Sequence, residues 1–73
     1  MSDYKSDALD ALRNKAETDR FQALSSLKIM LNHPVSRRHS LGDLHDNLNE
    51  ALNQLADADD RLETLRRYWE ELK

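Results

Sequence analysis

The second half of the chain carries an unbroken heptad pattern. Apolar residues alternate there at spacings of three and four, at Leu41, Leu44, Leu48, Ala51, Leu55, Ala58, Leu62, Leu65, Trp69 and Leu72. Such a repeat, sustained over several heptads, is typical of a helix with one apolar seam. The pattern therefore predicts a helix over about 41–72.

The first half predicts a less regular helix over about 3–32. At about 100° per residue, its broad apolar face consists of Leu9, Leu12, Ala16, Ala23, Leu24, Leu27, Met30 and Leu31. Arg20 falls inside this face, where its aliphatic stem can lie along apolar neighbours while the guanidinium stays in water. Pro34 cannot continue a helix, so we expect this one to end near Asn32.

A polar turn over 33–40 separates the two helices, and a short connector makes neighbouring helices antiparallel. Ser40 followed by Asp43 resembles a capping box, which makes Ser40 the expected cap of the second helix. The stretch "RRHSL" also matches the pattern that basophilic kinases prefer. Ser40 is therefore a candidate phosphosite at a helix N-terminus, although capping is the favoured interpretation.

These elements predict an all-α fold: a single domain over 1–73 that forms an antiparallel hairpin of two long helices. Folding the helices about the turn places Ala16 opposite Ala58 and Ala23 opposite Ala51, so two alanine layers coincide. The same alignment pairs larger residues towards the ends, for example Leu12 with Leu62 and Met30 with Leu44.

The apolar stripes are wider than a strict coiled-coil seam, which is typical of helices in a bundle. We therefore expect a homodimer that forms a four-helix bundle, and the alternative is a hairpin that docks on a different protein. The expected core and dimer residues are Leu24, Leu48, Ala51, Leu52, Leu55, Ala58 and Leu62.

Composition excludes several kinds of chemistry. The 73 residues include no cysteine, which removes disulfides and thiolate zinc sites. No Gly-rich phosphate loop or catalytic triad spacing occurs, and His33, His39 and His45 match no ligand pattern, so we expect no enzyme, no cofactor and no metal. No apolar run approaches the roughly 20 residues of a membrane span, and no signal peptide is apparent. The expectation is a cytoplasmic protein without a membrane partner.

Two surfaces are candidates for binding a partner. Phe21 and Ile29 project from the first helix on the side opposite its apolar face. On the second helix, an acidic outer face consists of Asp43, Asp46, Glu50, Asp57, Asp60 and Glu71. A solvated surface is the ordinary interpretation of such a face, and docking on a basic groove is the alternative. The acidic second half also argues against broad non-specific binding to nucleic acid.

The leading hypothesis is a non-catalytic protein–protein interaction module that acts as an adaptor or regulator. A second hypothesis is a small inhibitor of phage or plasmid type, similar to anti-restriction and anti-CRISPR proteins, whose acidic face blocks a nucleic-acid-binding protein.

The third hypothesis is an RNA-binding bundle. The hairpin architecture and the stretch "DLHDNLNEAL" resemble the Rop proteins of plasmids, which dimerise into four-helix bundles and bind paired RNA loops. The resemblance covers this short stretch of the second helix. It implies that Phe21 takes the place of an exposed phenylalanine at the RNA-binding surface, with Asn14 and Lys28 nearby.

Overall fold

The computed structural model describes residues 4–32 and 41–73. They form two helices, α1 from Tyr4 to Asn32 and α2 from Leu41 to Leu72. The helices pack against each other along their length as an antiparallel pair. The predicted all-α hairpin is thereby confirmed, and both described helices lie within the predicted ranges. The predicted dimer stays a prediction.

The hairpin is a rod of 57 × 21 × 15 Å. A helix of the length of α2 spans about 48 Å at about 1.5 Å per residue, so the length of the rod is essentially that of its helices. The connector end of the rod is where Asn32 and Leu41 lie, and the open end is where Tyr4 and Lys73 lie. Within the described residues, neither helix has a segment long and apolar enough to cross a membrane.

The core of a single hairpin is a narrow seam of small residues. Among the described residues, the buried apolar ones are Leu9, Ala16, Ala23, Ala51 and Ala58. All four alanines of the two predicted layers are therefore at the seam, where small side chains permit a close approach of the helix axes. Most larger apolar side chains stay at least partly exposed, because each helix has only one neighbour.

Leu12 departs from the predicted core. Its side chain is 57% exposed and lines a shallow recess with Arg61 and Thr64. Leu62 instead lines a recess with Arg13 and Trp69. The two leucines therefore line different recesses, and the predicted contact between them stays a prediction.

Contacts beside the seam are offset from the predicted alignment. That alignment sets Arg20 level with Gln54, but the residue that Arg20 pairs with is Asp59, further towards the C-terminus. Side chains lean towards the N-terminus of their own helix. In an antiparallel pair this brings the side chains of Arg20 and Asp59 towards each other, which accounts for part of the offset. Direct pairing of the alanines stays a prediction.

The start of α2 is described from Leu41 onwards. Asp43 lies in its first turn and Asp7 lies in the first turn of α1, where carboxylates interact favourably with the helix dipole. The predicted turn over 33–40, and with it the capping role and the candidate phosphorylation of Ser40, lie outside the described residues.

Candidate interaction surfaces

Arg20 and Arg61 each form an ion pair across the seam, one on each side of it. Arg20 Nε lies 3.1 Å from Asp59 Oδ1, and Arg61 Nη1 lies 3.6 Å from Asp19 Oδ2. Asp19 and Arg20 are consecutive residues and leave α1 in directions about 100° apart. Their side chains therefore reach α2 on opposite sides of the seam, and the two pairs identify the two flanks of the hairpin.

Leucines line the flank of the Arg20–Asp59 pair. They follow Arg20 after four, seven and eleven residues, and they precede Asp59 by the same three spacings. On an α-helix these spacings return to within about 40° of the starting direction, so the leucines lie on the same flank as the ion pair. This leucine flank consists of Leu24, Leu27, Leu31, Leu48, Leu52 and Leu55.

The leucine flank is incompletely covered in a single hairpin. Matched spacings on antiparallel helices place three leucines of α1 and three leucines of α2 on this flank. Leu31 is 69% exposed and Leu52 is 52% exposed, whereas the other four are partly buried. Burying a leucine side chain is favourable by about 1.5–3 kcal/mol, so this flank can stabilise contact with another apolar surface.

The opposite flank is marked by the Asp19–Arg61 pair and is named the polar flank after the charged network at its centre. Asp19 also lies 3.2 Å from Lys15 Nζ, and Arg61 Nη2 lies 2.8 Å from Asp57 Oδ2, so four charged residues form one network. Closer to the connector, this polar flank has a recess lined by Ser26, Ile29, Met30, Asn47, Glu50, Ala51 and Gln54. The apolar residues of this flank, which include Leu12, Ile29 and Met30, therefore border a charged network, whereas the leucine flank is a run of leucines.

Charged residues occupy the flank of the Arg20–Asp59 pair towards the open end. Arg66 binds Glu63 through two hydrogen bonds, from Nη2 at 2.6 Å and from Nε at 3.0 Å. The hydrogen bond from Arg66 lowers the pKa of Glu63, assisted by the positive charges of Arg66 and Arg67, and it raises the pKa of Arg66. The guanidinium carbon of Arg13 lies 4.9 Å from the ring centroid of Trp69, within the range of a cation–π contact.

Both apolar candidates for partner binding lie outside the hairpin core. Phe21 is 72% exposed and Ile29 is 58% exposed. They are eight residues apart in α1, which separates them by about 80° around the helix and about 12 Å along it. Ile29 also belongs to the recess of the polar flank. The structure therefore does not bring the two side chains together into one compact patch.

The candidate acidic residues are spread along the outer side of α2. All of them are exposed: Asp43, Asp46, Glu50, Asp57, Asp60 and Glu71. Asp57 is paired with Arg61, so its charge is partly balanced within the chain. Among residues 4–32 and 41–73, no three side chains of His, Cys, Asp or Glu converge in a way that could hold a metal ion.

Sequence reasoning left Leu27 and Leu31 out of the predicted dimer residues, although both had been placed on the broad apolar face of α1. It placed the guanidinium of Arg20 in water without a partner; the structure leaves the Arg20 side chain 54% exposed and adds an ion pair with Asp59. The signal that could have identified the whole flank is the equal spacing of leucines from Arg20 and from Asp59. It becomes meaningful only once these two residues are known to be in contact.

Comparison with protein-family models, with curated proteins and with solved structures gave no match for this chain. The likeness to the Rop proteins therefore rests on the hairpin architecture and on one short stretch of sequence.

Proposed function

We propose that this protein is a non-catalytic interaction module: a helical hairpin that dimerises through its leucine flank into a four-helix bundle and binds a further protein as an adaptor or regulator. The observation that carries the proposal is the run of leucines on one flank, of which Leu31 and Leu52 are more than half exposed. An apolar surface of this kind favours a helical partner over solvent.

The energetics suit self-association at micromolar concentration. Leu31 and Leu52 are 69% and 52% exposed, so completing the burial of each contributes roughly half to two thirds of the ~1.5–3 kcal/mol of a fully exposed leucine. In a symmetric dimer both chains make this contribution, which offsets an association cost of about 4–15 kcal/mol. A second copy offers the same apolar flank, so the two surfaces match in chemistry, and two-fold symmetry closes the assembly.

The test of dimerisation is sedimentation equilibrium of the parent and two matched variants. Leu52 and Leu12 have similar exposure, 52% and 57%, but Leu52 lies on the leucine flank and Leu12 on the polar side. We expect Leu52→Gln to weaken the dimer and Leu12→Gln to leave it intact. A parent of single-chain mass throughout the micromolar range would overturn the proposed dimer.

Binding of a further protein is supported by the exposed surfaces that dimerisation leaves free, above all Phe21 on the outer side of α1. Its test is a pull-down from the native host with mass spectrometry, using the parent and Phe21→Ala as bait. A partner that the parent recovers and the variant does not would support this surface. Equal recovery by both would place the binding site elsewhere.

A second candidate function is inhibition of a nucleic-acid-binding protein by the acidic face of α2. It is favoured by the exposure of Asp46, Glu50 and Asp60 on the outer side of the helix, where they are able to meet a basic groove. Recovery of a nuclease or polymerase whose binding is lost in Asp46→Asn/Asp60→Asn supports this candidate. Salt-sensitive binding of paired RNA loops would instead support the Rop-like alternative.

A further inference from the structure

We infer that the two hairpins of the dimer lie side by side with their connector ends at the same end of the bundle. The two-fold axis then runs along the bundle, and α1 of each chain packs against α2 of the second copy. The inference rests on the proposed dimerisation and adds the orientation of the chains, which differs from an arrangement in which the connectors lie at opposite ends.

Leucines and charged residues are concentrated in different halves of the rod, which favours this orientation. The leucine flank extends from the Arg20–Asp59 pair towards the connector end. Towards the open end, the same flank presents Arg13, Glu63 and Arg66 beside the partly buried Leu62 and Trp69. A two-fold axis along the rod places the leucine half of one copy against the leucine half of the other.

A two-fold axis perpendicular to the rod has the opposite effect when the hairpins overlap fully. The leucine half of each copy then faces the charged half of the other. Leu52 would lie against the region of Glu63, and leucines of α1 would lie near Arg13. Covering charged groups with leucines removes their hydration without offering a hydrogen-bonding partner, which is unfavourable. Helix direction does not discriminate, because both arrangements keep neighbouring helices antiparallel.

The charges of Arg20 and Asp59 are complementary between the two copies in the same orientation. With the axis along the bundle, α1 meets α2 of the second copy at the same height at which it meets α2 of its own chain. Arg20 then faces Asp59 of the second copy in addition to its own Asp59. The four charges alternate in sign around the bundle, so every neighbouring pair attracts.

Within one chain this ion pair is about half exposed, with 54% of the Arg20 side chain and 58% of the Asp59 side chain accessible. Exposed pairs of this kind contribute little to stability because water screens them. A second copy that covers them reduces the screening, and it also supplies each charge with a second partner of opposite sign. The Arg20–Asp59 pair therefore lies where it can favour one orientation of the two copies over the other.

A charge exchange tests this contact. In Arg20→Glu both crossing positions become acidic, and in Asp59→Arg both become basic. We expect each variant alone to dimerise about tenfold more weakly than the parent, because like charges meet across the interface. An equimolar mixture should recover dimerisation as a heterodimer, since opposite charges then face each other between copies. If the mixture forms no heterodimer in preference to either homodimer, the proposed facing of Arg20 and Asp59 is wrong.

Distance measurement tests the orientation independently. The chain has no cysteine, so Lys73→Cys introduces a single site for a nitroxide label at the open end. Double electron–electron resonance then measures the distance between the two labels of a dimer. Because neighbouring helix axes lie about 8–10 Å apart, the arrangement with both connectors at one end predicts a distance of about 15–30 Å. Full overlap with opposite connectors predicts a distance near the 57 Å length of the rod, and a staggered overlap predicts a longer one.

The outcomes separate this inference from the proposed function. A short distance between the labels supports the orientation. A long distance in a protein that sediments as a dimer overturns the orientation and leaves dimerisation intact. Single-chain mass of both the parent and the labelled protein overturns both. Lys73 lies away from the leucine flank, so its substitution is not expected to prevent folding or association.

Discussion

Ala58 illustrates how much depends on single small side chains at the seam. Only 1% of it is exposed, and no space remains for a larger side chain while the helices keep their distance. Ala56 lies two residues earlier on the exposed side of α2. The two alanines therefore have the same chemistry and the same helix, but opposite packing environments.

We expect Ala58→Leu to lower the free energy of unfolding by about 1–3 kcal/mol, because overpacking forces the helices apart. Ala56→Leu is the control, and its effect should be within about 0.5 kcal/mol as for other surface substitutions. Urea denaturation followed by circular dichroism measures both. Equal midpoints for Ala58→Leu and the parent would contradict the packing of α1 against this alanine.

Glu63 is the carboxylate with the clearest electrostatic perturbation. Two hydrogen bonds from Arg66 hold its charged form and lower its pKa. A carboxylate whose pKa is lowered on folding stabilises the protein at pH values above its unfolded pKa of about 4.3. This stabilisation is lost as the pH falls through that value and on through the lower pKa of the folded state.

Replacement of Arg66 by Gln should therefore raise the pKa of Glu63 towards its ordinary range. Carbon-detected NMR titration of the Glu63 carboxyl group measures this directly. Replacement of Arg67, whose Nη2 lies 3.7 Å from Glu63 Oε1, should raise it less, because only the charge and no hydrogen bond is removed. A larger effect of Arg67→Gln than of Arg66→Gln would contradict the assignment of the hydrogen bond as the main cause.

At the scale of elements, the two helices differ in regularity for a physical reason. α2 carries an apolar residue at every a and d position of its heptads, whereas α1 places Asp19 and Arg20 in the middle of its apolar face. The structure uses both charges, since each reaches across the seam to a partner on α2. The two charged residues that interrupt the apolar face of α1 therefore favour one rotation of α1 relative to α2, but they reduce the apolar area that the hairpin buries.

The outer side of α1 should contribute little to the stability of the hairpin. We expect Phe21→Ala with Ile29→Ser to leave the helicity and the sedimentation behaviour nearly unchanged, because both side chains are more than half exposed. Binding of a captured partner should weaken. Circular dichroism, sedimentation and a repeat of the pull-down check the three statements. A dissociated or partly unfolded variant would mean that these residues are buried in the assembled protein.

At the scale of the whole molecule, the hairpin has a seam too narrow to bury its larger apolar residues. A seam made largely of alanines buries little area per residue, and small chains often depend on self-association for stability. In the proposed dimer, association would therefore be part of the folding equilibrium.

The melting temperature of the parent should therefore rise with protein concentration, as for any protein whose native state is an oligomer. Calorimetry across a roughly hundredfold range of concentration measures the change. Leu52→Gln should melt at a lower temperature than the parent at high concentration and approach it at low concentration. A melting temperature that does not depend on concentration would identify a monomeric hairpin.

Local patterns in the sequence were sufficient to predict the two helices and the four alanines buried between them. Heptad spacing marks α2, Pro34 ends the extent available to α1, and both features act within a few residues of one another along the chain. The candidate surface was only partly accessible in this way. Leu24, Leu31 and Leu52 could be recognised as widening the apolar stripes, but they could not be assigned to a common flank with Leu27, Leu48 and Leu55.

The tertiary structure decided which residues face which side. The rotation of α1 about its axis relative to α2 is set by contacts between residues far apart in sequence, such as Arg20 with Asp59 and Asp19 with Arg61. Helical periodicity gives the direction of each residue around its own helix. It does not give the rotation of one helix relative to the other. The ion pairs show this relative rotation, and they thereby distinguish the leucine flank from the polar flank.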